Sequence, residues 1–213
     1  MYIPPSFRED DPAVLHELMR RHSFATLVTV VDGAPYATHL PFLLDAGRGE
    51  HGTLVAHMAR ANPQWRSFDG QAEALAIFLG PHTYVSPAWY AAPEIVPTWN
   101  YAAVHVYGVP RIIDDPAVLR DWIERLVRFH EGDGAGLRDG DRPGREIDSL
   151  LKAIVGFEIP IRRIEGKLKF NQNRSRADQA GVVAALEGET DPQLRGVVEI
   201  MRGNLGPGAP ERG

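Results

Sequence analysis

The residues best suited to holding an anion fall in one run, His57-Met-Ala-Arg60-Ala-Asn62-Pro63-Gln-Trp65-Arg-Ser-Phe68. It leaves a strand-like stretch, puts Asn62 where a helix N-cap belongs and Pro63 at the first helical position, and brings Arg60 to that entrance. Free amide N–H groups, the positive end of a helix dipole and a guanidinium together suit a phosphate or carboxylate. The plain alternative is a strand-to-helix junction in which Arg60 pairs with an acid. A second group is aromatic. His82-Thr-Tyr84-Val-Ser-Pro87-Ala-Trp89-Tyr90 and Pro97-Thr98-Trp99-Asn100-Tyr101 gather large rigid rings in a segment stiffened by Pro87, Pro93 and Pro97. Such rings serve a flat ligand, a subunit interface or a core equally well. A third group is basic, from Arg162 to Arg176, where Lys167, Lys169 and Asn171 share one face of an expected strand. That face suits an anion, the polar edge of a flavin or nucleic acid, or else it is a solvated edge whose lysines oppose aggregation.

Other chemistries lack support. With no cysteine there is no disulfide, thiolate metal site or cysteine nucleophile. Ser23 and Ser86 sit in no GxSxG context. The glycine-rich stretch Glu131 to Gly144 lacks the Gly-Lys-Ser/Thr ending of a P-loop, and its acids fail as a calcium loop because Leu150 falls at the twelfth place. Eight histidines include no close metal-ligand spacing, and His39, His57 and His105 lie in strand-like runs where a hydrogen-bonded core role is the simpler account.

The elements that position these groups are legible in outline. The chain has 213 residues, 44% apolar and 24% charged, with a formal net charge of -5. This is the composition of a globular protein without the positive field that drives non-specific nucleic-acid binding. The acids and prolines of the first eleven residues do not read as a secretory leader, and no run suffices to cross a bilayer, so the expected location is cytoplasmic. Phe24 to Leu44 predicts a hairpin turning at Asp32-Gly33. Further strands are expected at Gly52–Met58, Ala74–Leu79, Asn100–Ile113 and Val155–Ile164. About six strands with short connections predict a mainly β protein with peripheral helices, an antiparallel barrel closed or nearly so. Asp11-Pro12, Asp115-Pro116 and Asp191-Pro192 each announce a helix. Val118, Leu119, Trp122, Ile123, Leu126 and Val127 give the second one an apolar face. Ser175 with Asp178 opens a fourth, ending near Gly188. Glu131–Gly144 should be an exposed mobile loop, and Gly203–Gly213 a loose tail.

These motifs resemble the PaiB family of FMN-binding negative transcriptional regulators. The stretches concerned are MYIPPSF (1–7), YATHLPF (36–42), ARANPQW (59–65), HTYVSPAWY (82–90), VPTWNYAAVHVYG (96–108) and LKFNQNRSRAD (168–178). Family members often carry Leu-Ser where this chain has Phe170-Asn171. The resemblance implies an FMN-binding split barrel of the pyridoxamine-phosphate oxidase type, working as a homodimer with flavin in the subunit interface. It implies a split-barrel domain over 1–170, a helical extension over 171–203 and a flexible tail from 204. The cofactor-binding set it implies is Thr38, His39, Leu40, His57, Met58, Arg60, Asn62, Trp99, Asn100, Lys169 and Gln172. The phosphate lies near Arg60 and Asn62, and Trp99 and Asn100 come from the partner subunit. No catalytic residue is named. Regulation, direct or indirect, is the first functional expectation, with DNA contact through Arg162 to Arg176. A flavin-dependent oxidoreductase or flavin reductase is the alternative, and haem binding through His39, His57 or His82 a lesser one.

Overall fold

The computed structural model describes residues 1–92, 96–132, 149, 151–188, 191 and 193–206. Residues 133–144 of the expected loop, Pro93, Pro192 and residues 207–213 of the expected tail lie outside that description. The strands are β1 (Arg8–Glu9), β2 (Phe24–Val31), β3 (Ala34–Pro41), β4 (Leu43–Asp45), β5 (Thr53–Ala59), β6 (Ala74–Val85), β7 (Thr98–Gly108), β8 (Arg111–Ile112), β9 (Ile154–Pro160) and β10 (Arg163–Lys169). The helices are α1 (Pro12–Arg21), α2 (Pro116–Glu131), α3 (Arg176–Glu187) and α4 (Gln193–Leu205). Ladder order is β1-β10-β7-β6-β2-β3 in one sheet and β4-β5-β9-β8 in the other. The architecture is thus mainly antiparallel β with peripheral helices, and the strands divide into two sheets instead of closing as one ring.

Two compact units are built from interleaved segments. One comprises Met1–Leu18, Leu79–Val104 and Glu165–Gly213, the other Met19–Phe78 and His105–Ile164. In the second unit β2 and β3 meet across Asp32-Gly33, with Val31 opposite Ala34. Asp32 and Gly33 have φ of 51° and 78°, the two successive positive values that a two-residue hairpin turn demands. Inward residues of β2 alternate with outward ones, and Phe24 and Val30 remain 68% and 63% exposed. Beneath them the core is aromatic: Phe42 packs on Phe78 and Phe157, and Phe68 on Phe157, with ring centroids 5.2–6.2 Å apart. Asp115 caps α2 by accepting the Ala117 N–H at 2.8 Å, with Pro116 in the first turn. Leu119 and Trp122 are its buried anchors. Val118, expected in that stripe, is instead 43% exposed because it faces away from the sheet.

The first unit holds α3 and α4. Ser175 and Asp178 form the expected reciprocal cap, with the Asp178 N–H donating to Ser175 Oγ at 3.1 Å and that hydroxyl donating back to the carboxylate at 2.7 Å. Both helices lie close to the chain before them. A Cβ at Gly181 would collide with the Trp89 carbonyl, and one at Gly196 would come within 2.7 Å of the Pro81 ring. Val182, Leu186, Val197, Met201 and Leu205 are buried. The helix therefore continues through Gly203 to Leu205, where a loose tail was expected.

The strand expectations needed dividing. Asn100–Ile113 is two strands parted at Val109-Pro110, because proline has no N–H for the ladder. Val155–Ile164 is likewise split, at Ile161-Arg162, and β6 runs six residues past Leu79.

Candidate functional site

Strand periodicity decides which candidates can act together. Successive residues point to opposite faces, so Thr38 and His39 cannot share a surface. His39 is exposed, with Nδ1 3.0 Å from Thr26 Oγ1 and its ring stacked near Phe24 at 6.4 Å. Thr38 turns the other way and accepts the Asn62 amide at 2.9 Å. Leu40 is buried. His57 and Met58 part in the same manner. Met58 faces the core, whereas His57 lies among Leu43, Val55, Ile113, Leu119, Trp122 and Leu126. Burial there lowers the His57 pKa below its ordinary value, which keeps the ring neutral at physiological pH.

Asn62 caps a short 3-10 turn, Pro63–Ser67, its Oδ1 accepting the Gln64 N–H at 3.0 Å. Its Oδ1 and one of its two amide hydrogens are thereby committed to Gln64 and Thr38. Gln64, which sequence reasoning missed, is fully buried. Its Nε2 lies 3.1–3.3 Å from the Leu27 carbonyl, Thr29 Oγ1 and the Tyr36 carbonyl, and fastens the turn beneath the hairpin. No local pattern marks such a residue, because its partners lie 28 to 37 positions away.

Arg60 is pinned but not consumed, and its partners are carbonyls in place of the acid that a plain junction called for. Nε donates to the Lys152 carbonyl and one Nη2 hydrogen to that of Ile154, both at 2.7 Å. A guanidinium carries five N–H groups, so about three remain. They border a cavity of about 590 Å3 lined also by Trp65, Ile113, Leu119, Arg120, Lys152 and Val155. The backbone carbonyl of Arg60 accepts the Trp65 indole at 3.0 Å, which ties cation and ring into one rigid piece.

In the other unit, Trp99 is 54% exposed and meets Tyr84 edge to face at 6.1 Å. Asn100 was expected to reach a flavin from the partner, but it is fully buried with its Nδ2 against Met201 Sδ at 3.4 Å. Met201 of α4 lies against it, and among the described residues its Oδ1 has no hydrogen-bond partner. Gln172 is likewise turned onto its own backbone: Oε1 accepts the Phe170 N–H at 2.7 Å and Nε2 donates to the Leu168 carbonyl at 2.6 Å. The Lys169 ammonium donates to the Thr98 hydroxyl. Its pKa is lowered by burial first, then by the charges of Lys167 and Arg174. Asn171 holds the left-handed turn that follows, at φ 62°, and its amide donates to the Tyr90 hydroxyl at 2.8 Å.

A family profile described as "Putative FMN-binding domain" matches residues 1–163. The chain belongs to this family. It is also 35% identical over 206 residues to the "Protease synthase and sporulation protein PAI 2" of Bacillus subtilis, covering 96% of this chain and 98% of that one. The PaiB resemblance of the motifs is thereby established, and the chain carries an FMN-binding domain of the PaiB type. Solved structures share the fold. An FAD and haem binding protein from Mycobacterium smegmatis superposes with a TM-score of 0.59 at 20% identity, over 76% of this chain and 73% of that one. The flavocytochrome Anf3 from Azotobacter vinelandii gives 0.59 at 13% identity, over 76% and 69%.

The donor set suits FMN. A phosphate needs fixed, charge-assisted donors, and Arg60 offers several from a guanidinium already immobilised. The rest of the ligand needs apolar and aromatic neighbours, as Trp65, Ile113, Leu119 and Val155 provide around the same cavity, whereas His39, Thr26 and Phe24 do not line it. Bound there, FMN would supply one- and two-electron redox chemistry, while the protein's groups bind and orient it.

Proposed function

We propose that this protein is a cytoplasmic, homodimeric, FMN-binding regulator of the PaiB type. What carries the reading is the likeness to PAI 2, at 35% identity over 96% of the chain. Arg60 takes the flavin phosphate in the cavity that it shares with Trp65. The outward face of β2 and β3 supports self-association. Phe24, Val28 and Val30 lie opposite Pro41, Ala37 and Pro35, an apolar surface that a second copy would cover.

An indirect effect on transcription fits the basic segment better than direct DNA contact. Lys167 is buried, Arg163 lies over the Tyr107 ring at 3.5 Å and Arg176 donates to the Leu205 carbonyl, so the cations form no continuous stripe. The test is the absorption spectrum of the protein after incubation with excess FMN and desalting, with light scattering on the same sample. Retained flavin on a dimer is expected. A monomer that elutes colourless would refute the proposal.

A further inference from the structure

We propose that Arg20 and Arg125 hold the carboxylate of a small aromatic acid, whose ring enters the cavity of about 200 Å3 that they share with Phe42, Leu43, Leu44 and Phe129. This site goes beyond the flavin reading, since no residue of its lining borders the cavity of Arg60. Local bonds bring its parts together. Helix α1 ends at Arg21, and the Phe42 N–H donates to the Ser23 carbonyl at 2.8 Å, which sets the start of β4 beside the last turn of α1. Leu43 and Leu44 then pair with Val55 and Leu54 of β5. Arg125 and Phe129, one turn apart on α2, bring a single helical face to the same cavity.

The lining holds two guanidinium groups and no carboxylate. Arg125 lies 3.9 Å over the buried Trp122 ring. Stacking of this kind fixes the guanidinium and leaves its N–H groups at the edge. The acid that Arg125 faces, Asp45, is 4.0 Å from Nη1 and beyond hydrogen-bond reach. Asp45 Oδ1 accepts the Gly47 N–H at 3.3 Å instead. Among the described residues Arg125 therefore donates no hydrogen bond. An immobilised fork with unused donors suits a carboxylate, whose two oxygens match it. Phosphate suits the cavity less well, because Phe42, Leu43, Leu44 and Phe129 add no donor side chain for its remaining oxygens. The ligand's other end is argued from the rings. Phe42 is 2% exposed and held by Phe78 and Phe157 at 5.8 and 6.2 Å, which makes a rigid floor. Phe129 is 45% exposed and meets only the edge of its neighbour His130, at 5.0 Å. A ligand ring would cover apolar surface that now faces water and gain two aromatic neighbours. The volume is below the roughly 300–1,000 Å3 of sites for drug-sized ligands, so it admits one ring on a short acid arm.

Phenylacetate is the probe, phenylacetamide is its uncharged twin, and inorganic phosphate reports on charge alone. Each is titrated calorimetrically into the full chain saturated with FMN, at constant ionic strength. Phenylacetate should bind, and the amide and phosphate should bind about tenfold more weakly or worse, the worth of one charge-assisted bond. Arg125→Gln and Arg20→Gln should each weaken phenylacetate about tenfold. Arg125→Lys, which keeps the charge and loses the fork, should fall between. Phe129→Ala should weaken phenylacetate and spare FMN. Arg128→Gln, a charge-matched change on α2 outside the lining, should alter nothing. Melting curves establish that each variant folds. The proposal is overturned if the unaltered protein ignores phenylacetate, if the amide or phosphate binds as well, or if Arg125→Gln and Arg128→Gln behave alike. It is overturned equally if phenylacetate displaces FMN and so occupies the flavin's own site, or if a peptide ending in phenylalanine binds while phenylacetate is inert. Should the chain hold no flavin, the flavin reading fails, while the same titrations still decide this one.

Discussion

Replacing Arg60 by alanine separates the phosphate from the rest of the flavin. Two guanidinium hydrogens hold the Lys152 and Ile154 carbonyls at 2.7 Å, so alanine loosens the end of β9 whatever the ligand. That loss weakens FMN and riboflavin together. The remaining N–H groups concern phosphate alone. Arg60 is solvent-exposed, so each such bond belongs at the low end of the charge-assisted range, about 1.5 kcal/mol, or about tenfold in affinity. One or two bonds predict that the preference for FMN over riboflavin falls about 10- to 100-fold. Fluorescence-quenching titrations with both flavins at one ionic strength measure this ratio directly. Arg60→Lys, which keeps the charge but loses the planar fork, should fall between. An unchanged ratio, however large the common loss, would refute a phosphate at Arg60.

Gly181→Val should destabilise the fold by about 1–3 kcal/mol by forcing α3 off the Trp89 carbonyl, measured as a lower urea midpoint at unchanged slope. Asn171→Ala should cost about 2 kcal/mol, because the buried Tyr90 hydroxyl loses its donor and the left-handed turn loses a tolerant residue. Asn171→Ser should recover little of this, and a cycle with Tyr90→Phe isolates the hydrogen bond. Stability should decline on acidification below about pH 6.5. There the unfolded chain protonates His57 while burial keeps the folded ring neutral, so the unfolded state holds more protons. His22 acts in the same direction, through burial and then the charge of Arg21. His57→Gln should flatten the profile in chemical denaturation between pH 7 and 5. A further decline is expected below about pH 4, because hydrogen bonds from the Ala92 N–H and from Ser175 hold the Asp178 carboxyl below the usual range.

What the sequence disclosed was whatever a few neighbouring residues decide. Asp32-Gly33 specifies its turn by backbone sterics, Asp115-Pro116 starts its helix, and Ser175 with Asp178 closes its own cap. Strand limits were less visible, because Pro110 interrupts an apolar run that otherwise reads as continuous. The candidate site was legible in its ingredients and not in its sides. The family motifs name Thr38, His39 and Leu40 together, yet the pleat sends them to different faces. Nothing in the segment of Asn100 reveals that Met201 of α4, a hundred residues on, lies against it. Gln64 escaped notice for the same reason. The Asn171 departure, by contrast, acquires a physical meaning only from the structure: asparagine tolerates positive φ better than most residues.

Among the described residues strand β3 ends its sheet, so one side of its backbone has no neighbouring ladder there. An open border of that kind invites chains to add on without limit, the beginning of fibrous precipitation. Here Pro35 and Pro41 stand near either end of the strand and have no amide hydrogen to offer. Between them only Tyr36 to Leu40 could recruit a further strand, too short a stretch to seed a growing stack, so crowded expression of this protein should yield discrete particles and not filaments.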